Sequence, residues 1–404
     1  MTRVTVLGGC GAVGSIAVST LAALTDFSEV VVADIDVAKA KRMIGQLGAA
    51  CLSATRVDAL DASSMREVIK GSDVVLNCVG PFYQFGSPIL KAVVQAGINY
   101  VDISDDVDAT RAQLDLSKQA ERQGVSACIG MGSSPGVTNL LAKFCADQLL
   151  EQVEAIDIFH AHGGEPTEGA GVIGHRFHAM TSEIPVYLDG QYKTVHFFDP
   201  AGIALREEVE FRELGKYQVY PYPHPETITL PRYIKCRRVT NKGTVLPDEY
   251  FRFIVDLVKL GIVGETPIEV KGQKVAPRDF AIAYIVHERE RILRETKFGE
   301  QRGCVKIVVT GKKQGKPHQF VFSMASRGQA MGEGTGIPAA FGATLMQRGK
   351  ILQKGVLPPE ACIKPLEFLA VMQEFLKLKK VAGKGSPLRI ESIDSEGHKE
   401  ELSL

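Results

Sequence analysis

One stretch near the start of the chain, Val4-Thr5-Val6-Leu7-Gly8-Gly9-Cys10-Gly11-Ala12-Val13-Gly14, limits the fold more than any other. A β-branched run ends in Gly9, Gly11 and Gly14, spaced G-x-G-x-x-G, and continues into Ser15-Ile16-Ala17-Val18, which reads as helix. A Cβ at the first glycine would block the tight turn, at the second the approach of a pyrophosphate, and at the third the packing of helix on strand. Phosphates would sit at the helix N-terminus, where N–H groups without helical partners and the helix dipole favour negative charge.

A second strand, Glu29 to Asp34, ends in an acid 20 residues beyond Gly14, the position expected for a carboxylate that binds both ribose hydroxyls and repels a 2′-phosphate. NAD is therefore expected as cofactor, with NADP less favoured. Asp36 competes locally with Asp34, and Lys41 and Arg42 weaken the preference. Gly9, Cys10, Gly11, Ala12, Val13 and Gly14 form the expected phosphate turn, Asp34 and Ile35 the adenosine end, and Asp58 a flank of the adenine.

Strands and helices then alternate through residue 129. The apolar run Asp73 to Val79 is typical of a strand covered on both faces. Asn77, Gly80 and Pro81 are expected to shape the nicotinamide wall, because the loop after the fourth strand of a doubly wound sheet lies at the switch point. Right-handed crossovers leave the order 3-2-1-4-5-6 for six parallel strands. Beyond the loop Gly130 to Gly136 the pattern changes to longer strands and hairpins, one turning at Asp189-Gly190 and another across Gly311 to Pro317. The expected fold is α/β: a Rossmann doubly wound parallel sheet over 1–135, with an inserted α+β domain, mainly antiparallel, over 136–325. C-terminal helices over 326–385 and a polar tail over 386–404 complete it. Pro358 to Lys380 reads as an amphipathic helix with Ile363, Leu366, Leu369, Met372 and Leu376 inward.

Lys+Arg and Asp+Glu are equal at 47 each, so the electrostatic footprint of a nucleic-acid or anionic-membrane partner is missing. No stretch reaches membrane-spanning length, and the first residues form a strand rather than a leader; a cytoplasmic protein is expected. The eight cysteines lack any C-x-x-C pair, which suits reduced, buried thiols.

These residues resemble the saccharopine dehydrogenase (saccharopine reductase) and lysine 6-dehydrogenase superfamily, with carboxynorspermidine dehydrogenase-like relatives. The likeness rests on Gly9-Cys10-Gly11-Ala12-Val13-Gly14, Asn77-Cys78-Val79-Gly80-Pro81-Phe82, Tyr100-Val101-Asp102-Ile103-Ser104, Gly132-Ser133-Ser134-Pro135-Gly136-Val137-Thr138-Asn139, His224 to Arg232 and Gly334-Thr335-Gly336-Ile337-Pro338, in family order over almost the full length. The resemblance implies NAD(P)-dependent oxidation of a C–N bond in an amino acid or polyamine derivative, C-terminal helices that return to the Rossmann domain, and homodimers. Ala33-Asp34-Ile35-Asp36 stands where saccharopine reductase carries an arginine-bearing segment. This departure points to lysine 6-dehydrogenase-like or carboxynorspermidine dehydrogenase-like chemistry.

Hydride transfer at a C–N bond needs carbon held against nicotinamide, a base for the ammonium proton, and cations for substrate carboxylates. Asp102, Ser104 and Asp105 follow the fifth strand, where one could hold a substrate amine or cap a helix, and Asp105 is counted with the candidate catalytic residues. His160 and His162 share a strand face, while His175 and His178 lie three apart on a helix. His175 and His178 are the candidate base or proton relay, and no metal site is expected. Arg176 and Arg232 are candidate carboxylate clamps, although each alone more often makes a structural ion pair; Tyr83 and Ser133 complete the substrate set. No tyrosine has lysine four residues on, which disfavours a short-chain dehydrogenase. Two alternatives remain: an aldehyde dehydrogenase using Cys78 or Cys128 as thiolate, and a non-catalytic dinucleotide sensor or scaffold.

Overall fold

A computed structural model of the chain describes residues 2–165, 168–327, 330–379 and 388–402. The chain divides into two compact units. The first comprises Met1–Gln152, His224–Lys235 and Met331–Ser386; the second comprises Val153–Pro223, Cys236–Ala330 and Pro387–Leu404.

In the first unit the chain runs β1 (Arg3–Leu7), α1 (Ala12–Leu24), β2 (Glu29–Asp34), α2 (Val37–Leu47), β3 (Leu52–Arg56), α3 (Ala62–Ile69), β4 (Val74–Asn77), α4 (Phe82–Gln95), β5 (Asn99–Asp102), α5 (Val107–Leu114), α6 (Ser117–Arg122), β6 (Ser126–Cys128) and α7 (Val137–Gln148). Short polar residues start the helices where the pattern asks for caps: Asp36 accepts the Lys39 N–H at 2.9 Å and Asp61 the Ser63 N–H at 2.8 Å. The valines of β2 and β4 are buried because helices cover both faces of the sheet. Leu7, Val75, Ile89, Leu90, Val93 and Tyr100 belong to one continuous core.

The second unit begins with β7 (Gln152–Gly163), α8 (Ala170–Thr181), β8 (Ile184–Leu188), β9 (Gln191–Val195), α9 (Pro200–Ala204), β10 (Glu207–Phe211) and β11 (Gly215–Pro221). The chain then contributes α10 (Glu226–Tyr233) to the first unit. It continues in the second with β12 (Arg238–Leu246), α11 (Asp248–Lys259), β13 (Ile268–Val270), β14 (Gln273–Val275), α12 (Pro277–Glu295), β15 (Arg302–Lys313) and β16 (Lys316–Arg327). Next come α13 (Ala330–Gln347), β17 (Gly355–Leu357), α14 (Pro359–Cys362) and α15 (Pro365–Leu378), and finally β18 (Leu388–Ile393) and β19 (Lys399–Leu402).

The first sheet has seven strands in the order β17-β6-β5-β4-β1-β2-β3. Its six N-terminal strands follow the expected 3-2-1-4-5-6, and β17 extends the edge in parallel beside β6. The second sheet has ten strands, in the order β10-β11-β12-β7-β15-β16-β18-β19, with β8 attached to β12 and β9 to β8. Most pairs are antiparallel, but β12 runs parallel to β7. Asp189 and Gly190 both take positive φ, the type I′ geometry that closes β8 onto β9.

Several details differ from the sequence reading. The hairpin strands β15 and β16 run to Lys313 and from Lys316, so the connection is a tight Gln314-Gly315 turn rather than a loop over 311–317. Helix α4 starts at Phe82, which puts Tyr83 on its first turn. The segment read as one amphipathic helix from Pro358 is broken into α14 and α15, and α15 buries Phe368, Leu369, Val371 and Phe375 while Leu366 is exposed. Part of the segment read as a polar tail forms β18 and β19, whose alternating Leu388, Ile390 and Ser392 are buried. The expected helix end at Lys380 and the boundary at 385/386 lie outside the described residues.

Candidate active site

At the glycine turn, a Cβ on Gly14 would lie 2.2 Å from the Gly8 carbonyl oxygen, so β1 and α1 could not approach as they do with any other residue there. A Cβ on Gly11 would meet only the Gly8 oxygen at 3.3 Å, which leaves the space above the turn open. No side chain caps α1 and no acid stands in its first turn, so its first N–H groups suit a pyrophosphate. Helix α13 crosses α1 closely: a Cβ on Gly336 would sit 2.6 Å from the Val13 carbonyl oxygen.

The Asp34 carboxylate at the end of β2 accepts the Cys10 N–H at 3.2 Å and the Asp36 N–H at 3.1 Å. It therefore joins the glycine turn to the β2–α2 loop. Asp36 is committed as the N-cap of α2. Ile35 projects from the same loop, 56% exposed. Burial, with Asp34 beside it, pushes the Cys10 thiol up to about 11. Asp58 closes a local turn by accepting the Leu60 N–H at 3.0 Å.

The loops after β4, β5 and β6 are tied together by one fully buried acid. Asp102 accepts hydrogen bonds from the Tyr100 hydroxyl (2.9 Å), the Gln113 amide (2.5 Å), the Ser104 N–H (3.0 Å) and the Gly130 N–H (2.8 Å). Burial pushes its carboxyl above the ordinary carboxylate range against the pull of these donors. Asn77 is turned inward, giving its amide to Tyr100 at 3.0 Å and accepting the Val79 N–H at 2.9 Å. Gly80 is exposed, Pro81 precedes α4, and Tyr83 is half-buried with its N–H on Asp106 at 3.0 Å. Asp106 thus anchors the start of α4 and makes no side-chain cap for α5. Asp105 is half-buried beside it, and Ser104 is fully buried.

A second buried cluster joins two of the stretches on which the resemblance rests, Gly132 to Asn139 and His224 to Arg232. Glu226, wholly buried at the start of α10, accepts hydrogen bonds from Ser134 (2.5 Å) and Thr138 (2.8 Å) and lies 3.5 Å from Nδ1 of His224. Asn139 donates to Glu360 at 2.8 Å, and its own oxygen accepts the Gly136 N–H at 2.9 Å. Burial opposes the charge of His224, but Glu226, Asp105 and Asp106 hold its pKa above the ordinary histidine value. Burial likewise opposes the charge of Glu226, and the His224 imidazole and Ser134 hydroxyl outweigh it, keeping the carboxylate ionised. Burial and the Glu226 charge raise the Glu360 carboxyl to about 7. Nothing in the sequence around Glu360 singled it out. Ser133 is half-buried in the same loop as Ser134, and Arg232 is exposed in the last turn of α10.

In the second unit, Arg176 is buried on α8 and paired with Glu168, with the Tyr250 ring 5.9 Å away. Arg289 contacts the same Glu168 at 3.4 Å and Glu165 at 3.7 Å, and His162 lies 3.2 Å from Glu165. Arg176 is thus neutralised within its own unit, the structural alternative for this residue. His175 and His178 are half-buried on α8, His178 within 3.4 Å of the Ser182 hydroxyl. His160 packs edge-on against Tyr222.

The thiolate alternative has no support from the environment of its cysteines. Desolvation pushes Cys78 up to about 12, and Cys128, hydrogen-bonded to Cys362 and buried, is also raised well above the ordinary thiol value.

Residues 4–128 match the saccharopine dehydrogenase NADP binding domain, and residues 132–378 match the saccharopine dehydrogenase C-terminal domain. The chain is similar to carboxyaminopropylagmatine dehydrogenase of Synechocystis sp., 24% identical over 93% of this chain and 96% of that protein. It is also similar to carboxynorspermidine synthase of Vibrio cholerae, 23% identical over 90% and 93%. The saccharopine dehydrogenase (L-Glu forming) structure from Saccharomyces cerevisiae superposes with a TM-score of 0.67 over 100% of both chains at 18% identity, which shows a common fold. Among the described residues, no helix is long and apolar enough to cross a membrane. The chain belongs to the saccharopine dehydrogenase family and is an NAD(P)-dependent oxidoreductase acting on a C–N bond of an amino-acid or polyamine derivative.

Proposed function

We propose that this chain is an NAD-preferring dehydrogenase of a secondary amine that joins a carboxylated carbon chain to a polyamine or guanidino-amine. The similarity over more than nine-tenths of both chains to enzymes named for carboxynorspermidine and carboxyaminopropylagmatine carries the reading. Asp105 and Asp106 at the C-terminal end of β5 suit a cationic amine, at the strand ends where doubly wound sheets bind their ligands. Asp34 supports NAD, since a carboxylate at the end of β2 accepts ribose hydroxyls and repels a 2′-phosphate. The bound dinucleotide supplies the hydride chemistry, with Gly9 to Gly14 and Asp34 as its cradle and Gly80 and Pro81 as the wall of its nicotinamide. Ser104, Ser133, Tyr83 and Arg232 line the substrate side, and the enzyme works as a cytoplasmic homodimer.

The test is NADH formation by the purified protein with NAD and lysine, saccharopine, carboxynorspermidine or carboxyaminopropylagmatine, repeated with NADP. Turnover on a carboxylated polyamine with NAD and little with NADP is the expected result. Turnover on saccharopine or lysine alone would overturn the substrate assignment. Tight NAD binding with no turnover on any member would favour a dinucleotide sensor.

A further inference from the structure

We propose that His224 is the acid–base residue of this reaction, with Glu226 as its positioning carboxylate and Glu360 as a buried group whose charge tunes it. The inference rests on the C–N dehydrogenase reading above. It is carried by the burial of this histidine and by the carboxylates around it. His224 is nearly fully buried, lies with Nδ1 3.5 Å from a wholly buried carboxylate, and is held in the field of Asp105 and Asp106, the two acids that follow β5. The C-terminal end of β5 is where substrate is expected in a doubly wound sheet.

Glu226 cannot rotate freely, because Ser134 and Thr138, at the loop before α7 and on its first turn, both donate to the same oxygen. Its other oxygen faces the imidazole. A histidine whose Nδ1 faces a fixed carboxylate has its ring orientation set and its imidazolium stabilised, and the substrate proton is assigned to its Nε2. In the oxidative direction the neutral imidazole takes one proton from the substrate ammonium, leaving a neutral amine and an imidazolium. In the reductive direction the imidazolium returns that proton to the amine nitrogen.

Behind Glu226, the Thr138 hydroxyl lies 3.3 Å from the Asn139 side-chain oxygen, and the Asn139 amide reaches Glu360 on α14 at 2.8 Å. The charged and titratable groups around the pair are Asp105, Asp106 and Glu226 near His224, and Glu226, Tyr233, Cys128 and Cys362 near Glu360. Arg232, which acts on Tyr233 beside Glu360, and His224 supply the positive charge. Ionising Glu360 therefore adds a second negative charge behind Glu226 and strengthens the hold on the His224 proton.

The experiment measures kcat, kcat/KM against pH and dinucleotide Kd on the full-length enzyme, using the substrate from the panel above, for wild type and His224→Asn, Glu226→Gln, Thr138→Val and Glu360→Gln. His224→Asn is expected to lose about a hundredfold to ten-thousandfold in kcat with dinucleotide Kd unchanged. Glu226→Gln is expected to move the limb of kcat/KM that reports the base to lower pH. Thr138→Val removes a donor to Glu226 without removing its charge, and should move that limb upward. Glu360→Gln should leave the limb in place below pH 6 and abolish its upward drift at higher pH. The imidazole titration of His224, followed by NMR and assigned by its loss in His224→Asn, must move with the kinetic limb. Wild-type kcat in a folded His224→Asn variant, or a limb unmoved in both Glu226→Gln and Thr138→Val, would overturn the assignment while the C–N dehydrogenase reading stands. A wild-type enzyme inert on every substrate would overturn both.

Discussion

The Asp34 carboxylate accepts the Cys10 N–H at 3.2 Å, so the acid expected to select the cofactor also secures the turn that holds the cofactor's phosphates. Asp34→Ala should therefore weaken NAD binding as well as relax the preference over NADP. A hydrogen bond to a charged group contributes about 1.5–3 kcal/mol, which corresponds to a rise of roughly tenfold to a hundredfold in KM for NAD. Steady-state kinetics with both cofactors check this. An unchanged NAD-to-NADP ratio would mean that the ribose is read elsewhere.

Two glycines of the turn should fail differently. Gly14→Ala forces a Cβ to 2.2 Å from the Gly8 oxygen and should destabilise the protein by about 1–3 kcal/mol, read by denaturant unfolding. Gly11→Ala meets only a 3.3 Å contact and should melt like wild type while losing dinucleotide affinity in a calorimetric titration. Equal losses of stability would remove the distinction between a packing glycine and a phosphate glycine.

The buried charges of the second unit make acid lability predictable in sign. Burial opposes the charge of Glu165, but the His162 hydrogen bond and the Arg176 field hold its pKa down to about 2, below the ordinary 4.5. Its stabilisation is complete above pH 4.5 and is lost as pH falls toward 2, at up to about 1.4 kcal/mol per pH unit. Urea midpoints measured between pH 5 and 2 should fall more steeply in wild type than in Glu165→Gln. Arg176→Ala, which takes from buried Glu168 one of the two arginines paired with it, should cost about 1.5–3 kcal/mol at neutral pH.

Glu360 gives the opposite sign. Its folded pKa of about 7 lies above the ordinary 4.5, so its contribution to stability is complete below 4.5 and is lost as pH rises through 7. Thermal midpoints of wild type should decline between pH 5 and 8 relative to those of Glu360→Gln. Parallel curves would mean that Glu360 ionises as it does in water.

Most of the parallel sheet was legible because its signals are local. Three glycines, valine-rich runs and caps such as Asp36 and Asp61 fix strand, turn and helix over a few residues each. Asp34 was found by its distance from Gly14 alone. What escaped notice depends on contacts distant in sequence. Glu360 lies 221 residues from Asn139, and no local pattern marks it as buried. Asn77 looked like a wall of the nicotinamide site from its place at the end of β4, yet its amide is spent on Tyr100. Arg176 read as a carboxylate clamp because an arginine's partner cannot be seen from its own helix. Leu366 was placed inward because a continuous helix was assumed through Lys364-Pro365, where proline instead starts a new one and resets the phase.

The chain passes between its two units five times, and the last passage delivers β18 and β19 to the sheet begun by β7. During synthesis that sheet must wait with β16 as an open edge, its row of backbone donors and acceptors without a neighbour until residues 388–393 arrive. Neither unit exists as a contiguous stretch of sequence, so no single cleavage between them yields two pieces that each carry all their own strands and helices. A nascent chain stalled after α15 would be the form most prone to pair with another copy of itself.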